Sequence, residues 1–291
     1  METQELLRKV RKLEIKTRRL SEQLFSGEYH SSFKGRGMAF SEVRQYQAGD
    51  EIRTIDWNVT ARKREPYVKV FEEERELTLM LVVDVSGSET FGSRVQQKRE
   101  MIAEICATLA FSALTNNDKV GVLLFSDRVE KFIPPVKGRQ NVLRIIRELV
   151  EHETQGTQTD IHLALEFLHS VIKKKAIVFL LSDFLADGYE KSLRITARKH
   201  DLTGIRIYDA LDEALPNVGL IPAIDPETGR QGWLNTASSK VRKHYWVQNQ
   251  KKIQYFRNHV LRSGAGMVEI NTAESYVKKL MGYFKQREAR R

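Results

Sequence analysis

Apolar runs that alternate with helical patterns constrain this chain more than any other feature. Leu77-Thr-Leu-Met-Leu-Val-Val83, Lys119 to Phe125, Lys175 to Leu181 and Thr203 to Tyr208 have the length of strands and almost no polar positions. A strand without a polar face has no side to offer water, so it belongs in the middle of a sheet covered on both faces. Between these runs, residues 93–115, 140–151, 160–174 and 189–199 carry apolar side chains at helical spacing, as with Ile102, Ile105, Leu109 and Ala113. Val129 to Ile133 adds a further strand. Strands and helices in alternation predict an α/β fold, a mostly parallel central sheet with helices on both faces.

The flanking segments read differently. Residues 1–25 predict an amphipathic helix over 3–25, with Leu6, Val10, Leu13, Thr17, Leu20 and Leu24 along one face. Such a seam can zip to a partner helix or dock on the chain's own surface, and its shortness favours self-docking. Residues 26–76 are punctuated by Gly27, Gly35, Gly37 and Gly49, which predicts short strands and turns rather than helix. They hold too few apolar residues for an independent core, so a β-rich extension inseparable from the sheet domain is expected. Residues 77–210 form that sheet domain. Residues 211–291 begin with a hairpin, 219–224 and 232–234 around Asp225-Pro-Glu-Thr-Gly229. Helices over 238–262 and 273–287 follow, with a short strand at 267–270 between them.

The chemistry concentrates after the first apolar strand, at Asp84-Val-Ser86-Gly-Ser88. In an open parallel sheet the loops beyond the strand C-termini line the ligand crevice. A carboxylate and two hydroxyls at i, i+2 and i+4 can converge there, and all are oxygen donors suited to a hard cation such as Mg²⁺. Thr159 precedes the helix at 160–174 and Asp183 follows the strand at 175–181, so both fall in equivalent loops. Asp84, Ser86, Ser88, Thr159 and Asp183 would hold the ion and leave one octahedral position open. The plainer reading of Asp-x-Ser alone is a turn or helix cap. The placement of Thr159 and Asp183 favours the metal.

These three segments, Asp84-x-Ser86-x-Ser88, Thr159-Asp-Ile-His-Leu-Ala-Leu165 and Leu181-Ser-Asp183, resemble the loops of a von Willebrand factor A domain. That resemblance implies a Rossmann-like sheet over about residues 77–210 and a metal-ion-dependent adhesion site. Its Mg²⁺ would complete coordination with a carboxylate from a partner protein. Thr157 is the rival to Thr159, which is preferred because Ile161 and Ala164-Leu165 match the family's helix start. Upstream, Gly27-Glu-Tyr-His30-Ser31, Gly35-Arg-Gly37, Val43-Arg44-Gln-Tyr46, Gly49-Asp50-Glu-Ile-Arg53-Thr-Ile-Asp56-Trp57, Ala61-Arg62, Val68-Lys69 and Glu73-Glu74-Arg75 resemble the bacterial domain-of-unknown-function family numbered fifty-eight. The turn at 225–229 is similar to that family too. The resemblance implies an adaptor or co-chaperone for a MoxR-type AAA+ ATPase. Glu89 departs from the family pattern, in which Met commonly follows the second serine.

Arg44, Arg53, Asp56, Trp57 and Arg62 join forked donors, a carboxylate and an indole in one short stretch. They can bind an acidic partner surface. They can equally pair internally and pin an irregular segment, which is favoured because irregular backbone needs such pins. The formal charge is +10, and residues 238–291 hold 13 Lys/Arg against 3 acids. Nucleic acid is a rival partner for those basic helices, but no motif for reading bases accompanies them, so a solvated face or a docking face for an acidic protein is expected. A metal-dependent phosphoryl-transfer enzyme is the other rival, and it lacks an evident general base apart from Glu89. No Walker loop occurs. His162 and His169 stand two helical turns apart, and Cys106 among Ile105, Ala107 and Leu109 reads as a buried thiol. A single cysteine excludes an internal disulfide. No signal peptide is evident and the apolar runs are too short to cross a bilayer, so a cytoplasmic protein without membrane insertion is expected.

Overall fold

The computed structural model describes residues 11, 13–17, 39–72, 77–86, 98–156, 158–224 and 231–290. The chain divides into two compact units, Phe33–Leu77 and a larger one made of Met1–Ser32 with Thr78–Arg291.

In the smaller unit, β1 (Ala39–Gln45) pairs antiparallel with β2 (Tyr67–Glu72). A 3₁₀ turn at Ile52–Thr54 and a short helix, α1 (Trp57–Lys63), lie between them. The paired strands match the expectation for this region, whereas α1 corrects the expectation of strands and turns without helix. Its local cause is the cap. Asp56 accepts hydrogen bonds from the Asn58 and Val59 N–H groups, and Arg64 closes the far end at φ 59°.

The larger unit is built on β3 (Thr78–Asp84), β4 (Lys119–Phe125), β5 (Val129–Val136), β6 (Ile177–Ser182), β7 (Asp201–Tyr208) and, after an antiparallel hairpin of β8 (Leu220–Ile224) and β9 (Gln231–Asn235), β10 (Gly266–Asn271). The six-stranded sheet has the order β10-β7-β6-β3-β4-β5. Every neighbouring pair is parallel except β4 with β5. The connecting helices are α2 (Lys98–Thr115), α3 (Arg139–Glu151), α4 (Ile161–Val171), α5 (Glu190–Lys199), the short α6 (Ala210–Glu213), α7 (Ser239–Ser263) and α8 (Tyr276–Ala289). The apolar runs are buried as their composition requires: β6 is buried along its whole length, and β3 and β4 after their first residues.

Alternation along each strand splits the core. Met80, Val82, Leu123, Val178 and Leu180 pack with α4, α5 and α7 through Leu165, Leu168, Leu193, Phe256 and Val260. On β6 the intervening Phe179 meets Phe284 of α8 edge-on, with centroids 6.3 Å apart. Helix α2 is buried on most sides, Cys106 included, and burial pushes that thiol up.

Residues 13–17 are helical. Lys16 reaches Glu104 of α2 at 2.6 Å, and Arg139 at the start of α3 reaches Glu14 at 2.6 Å. The described part of the N-terminal helix therefore docks on the chain's own sheet unit.

Candidate metal centre

β3 lies between β4 and β6 in parallel register, with Asp84 beside Phe125 and Val83 beside Leu181. The loops leaving these strands therefore emerge next to one another at the carboxyl edge of the sheet. Asp84 is 1% exposed. Its Oδ1 accepts the Ser86 N–H at 3.0 Å and its Oδ2 accepts the Ser182 hydroxyl at 2.7 Å. Burial first, and the charge of Asp183 second, push the Asp84 carboxyl up to about 6. Asp183 is buried as well. The Leu185 N–H donates to its Oδ1 at 3.1 Å, while its Oδ2 accepts no hydrogen bond.

Thr159 enters from the third loop and donates its hydroxyl to Ser86 Oγ at 2.7 Å. That loop is fixed at both sides of Thr159. Asp160 caps α4 by accepting the Leu163 N–H at 2.9 Å, and its own N–H donates to the Ser126 carbonyl. Earlier in the loop, the Gly156 and Gln155 N–H groups donate to Glu130 Oε1 at 2.8 and 3.2 Å. On the β6 side, Phe184 holds a left-handed backbone at φ 57°. Its N–H donates to Ser182 Oγ, and its ring lies 4.2 Å from that of Phe256. A non-glycine residue in that region is strained, and the buried ring packing retains it.

The structure thus brings together Asp84, Ser86, Thr159 and Asp183. Ser88, Glu89 and Thr157 lie outside the described residues. Sequence reasoning missed Ser182, Glu130 and Lys98. Ser182 sits directly before Asp183 in Leu181-Ser-Asp183 and reads there as the last residue of an apolar strand. Lys98 Nζ is 2.6 Å from Asp212 Oδ2 and 3.8 Å from Asp183 Oδ2, with its side chain 1% exposed. Nothing in Gln96-Gln-Lys-Arg-Glu100 distinguishes it from a solvated lysine.

The second candidate cluster divides. Arg44 forks onto Asp50, with contacts of 2.8 and 2.7 Å. This pairing holds the Asp50 carboxyl below its usual range. Asp56 is taken up by the α1 cap and by Lys69 at 3.6 Å. Arg53, Trp57 and Arg62 are exposed, Trp57 to 66%. His162 pairs with Glu166 at 3.4 Å. Among the described residues no group of three or more His, Cys, Asp or Glu gathers as a metal site. Among the described residues the oxygen set around Asp84 has two carboxylates, Asp84 and Asp183, with the hydroxyls of Ser86 and Thr159 beside them. No helix among the described residues is long and apolar enough to cross a membrane. Along α7 runs an open groove of about 510 Å³, lined by Trp246, Lys251, Tyr255, His259 and Arg262 among others.

A mostly parallel sheet of this order, with helices between its strands and aspartate and hydroxyl side chains gathered at its carboxyl edge, defines an open-sheet α/β protein. The chain belongs to the family described as protein of unknown function DUF58, which it matches over residues 42–254. Among its relatives is the uncharacterized protein Mb1516 of Mycobacterium bovis, 29% identical over 76% of this chain and 70% of that one. The uncharacterized protein YeaD of Bacillus subtilis is 31% identical over 42% of this chain and 27% of its own length. Similar solved structures include the conserved hypothetical protein BatB from Bacteroides thetaiotaomicron, at 11% identity and a TM-score of 0.46, covering 74% of this chain and all of BatB. The SpRpn10 VWA domain overlaps at 9% identity and a TM-score of 0.38, over 73% of this chain and 95% of that domain.

Proposed function

We propose that this chain is a non-catalytic adaptor that binds a partner protein through a divalent cation, Mg²⁺ being the natural choice. The observation that carries the reading is Asp183 Oδ2, a buried carboxylate oxygen without a hydrogen-bond donor, in the same crevice as Asp84 and the Ser86–Thr159 pair. The nearest ammonium, Lys98, stays 3.8 Å away, so this buried oxygen is only partly compensated and can take a further cation. The donor set consists of oxygen alone, which suits a hard ion. Asp84, Ser86, Thr159 and Asp183, joined by Ser88 on sequence grounds, would hold it. A cation bound there offers an open position to a carboxylate from the partner.

By the family resemblance that partner would be a MoxR-type AAA+ ATPase, or an acidic protein ligand presented with it. The exposed Arg53, Trp57 and Arg62 supply a further contact face for acidic surfaces. Calorimetric titration with Mg²⁺ tests the reading. The chain should bind one equivalent, and Asp84→Ala should abolish binding while its circular dichroism stays unchanged. Equal affinity in the variant would remove these loops from the function.

A further inference from the structure

A lysine sealed beneath a candidate cation site requires a role. Lys98 rises from the start of α2 with its ammonium between two carboxylates, close to Asp212 and farther from Asp183. The nearer partner is held in place. Asp212 Oδ2 also accepts the Asp209 N–H at 2.8 Å in the capping box of α6, and the Asp212 carbonyl accepts the Asn249 side-chain amide from α7. Asp209 in turn accepts the Thr272 hydroxyl at 2.6 Å. These bonds anchor Asp212, and Lys98 Nζ lies nearer to it than to Asp183, beyond hydrogen-bond distance of the latter.

We propose that Lys98 is the resident counter-cation of this centre: it balances Asp183 in the metal-free chain, and Asp212 holds it back when a divalent cation takes that carboxylate. The inference rests on the metal-binding reading above. The Lys98–Asp212 pair is a buried dipole whose positive end faces Asp183. In a crevice screened from water that end opposes an incoming cation, and it lowers the repulsion between Asp84 and Asp183 when no cation is present. The pair thereby sets how tightly the site holds its ion.

Two variants move the affinity in opposite directions. Asp212→Asn releases Lys98 to Asp183 and should weaken Mg²⁺ binding roughly tenfold. Lys98→Met with Asp212→Asn removes both ends of the dipole together, so that neither member of the pair is left without the other, an exchange that folds tolerate well. It should tighten Mg²⁺ binding roughly tenfold. It should also lower the melting temperature in chelator more than in Mg²⁺. General damage to the crevice would weaken both variants alike, so shifts of the same sign, or none, overturn the role of Lys98. Should the double variant fail to fold, the single variant decides by itself, since unchanged or tighter binding contradicts the proposal. Calorimetry of the wild-type chain separates the two ideas. Binding there with no shift in either variant sinks the Lys98 role alone, whereas no binding in any of the three sinks the metal reading with it.

Discussion

His200 shows how one buried side chain ties stability to pH. It follows α5 directly, is buried, and its Nδ1 accepts the Ala176 N–H at 3.2 Å, a bond only the unprotonated nitrogen can make. Burial first, then the charges of Lys199 and His169, hold its pKa down to about 4. An unfolded histidine titrates near 6.5, so between these values the unfolded chain binds the extra proton. The contribution is constant above about pH 6.5 and is lost as pH falls toward 4. His200→Asn keeps a side-chain acceptor and removes the titration. Melting temperatures measured at pH 7 and pH 5 should fall less in the variant than in the wild type. An equal fall would mean that other groups govern the acid limb.

At the level of elements, the decisive joint is between the β4–β5 turn and the loop that delivers Thr159. Glu130 is nearly buried and gathers Ser126 Oγ at 2.6 Å with the Gly156 and Gln155 N–H groups. Gly156 has no room for a side chain, because a Cβ would collide with Ser126 and Asp127. Glu130→Ala leaves those donors unanswered and should destabilise the sheet unit by about 2–4 kcal/mol, since hydrogen bonds to charged groups are the stronger kind. It should also weaken Mg²⁺ binding through Thr159, read by calorimetry. An unchanged affinity would show that the loop holds its position by other means. This joint was illegible in the sequence because it links residues 25 or more positions apart through backbone groups. Lys98 was illegible for a similar reason: its burial depends on how α2 meets α6, and its neighbours in sequence are polar. By contrast, Asp84, Ser86 and Asp183 could be read because each sits at or just beyond the end of an apolar strand, where parallel topology fixes the location of the loop. The sheet was legible on the same logic, with strands marked by the absence of any polar face. Helix α1 escaped because its seven residues carry too little periodicity, and only the Asp56 cap announces it.

Across the whole molecule, charge is distributed so that two kinds of attraction separate. Among the described residues, Asp84 and Asp183 put two carboxylates at the sheet edge, with Lys98 and Arg99 as the basic groups nearby, while α7 carries no acidic residue in its length and lines a groove with Lys251, His259 and Arg262. With a divalent cation between Asp84 and Asp183 the local charge is near zero, and a partner's carboxylate can bond to the ion without strong repulsion. Without the cation the same carboxylate would meet both aspartates in a site poorly screened by salt. On the proposed function the basic helix would act over a longer range, speed encounter with an acidic partner and be screened once separations exceed about 8 Å at physiological salt. The proposed complex between this chain and a MoxR-type ATPase should therefore be lost in chelator at any ionic strength. Raised salt with Mg²⁺ present should chiefly slow association and leave dissociation nearly unchanged. Both rates can be followed by surface-based binding kinetics, with the Asp183→Ala chain as the control that mimics chelation. A complex that persists in chelator and in that variant, yet dissolves in salt, would transfer the contact from the crevice to the α7 face.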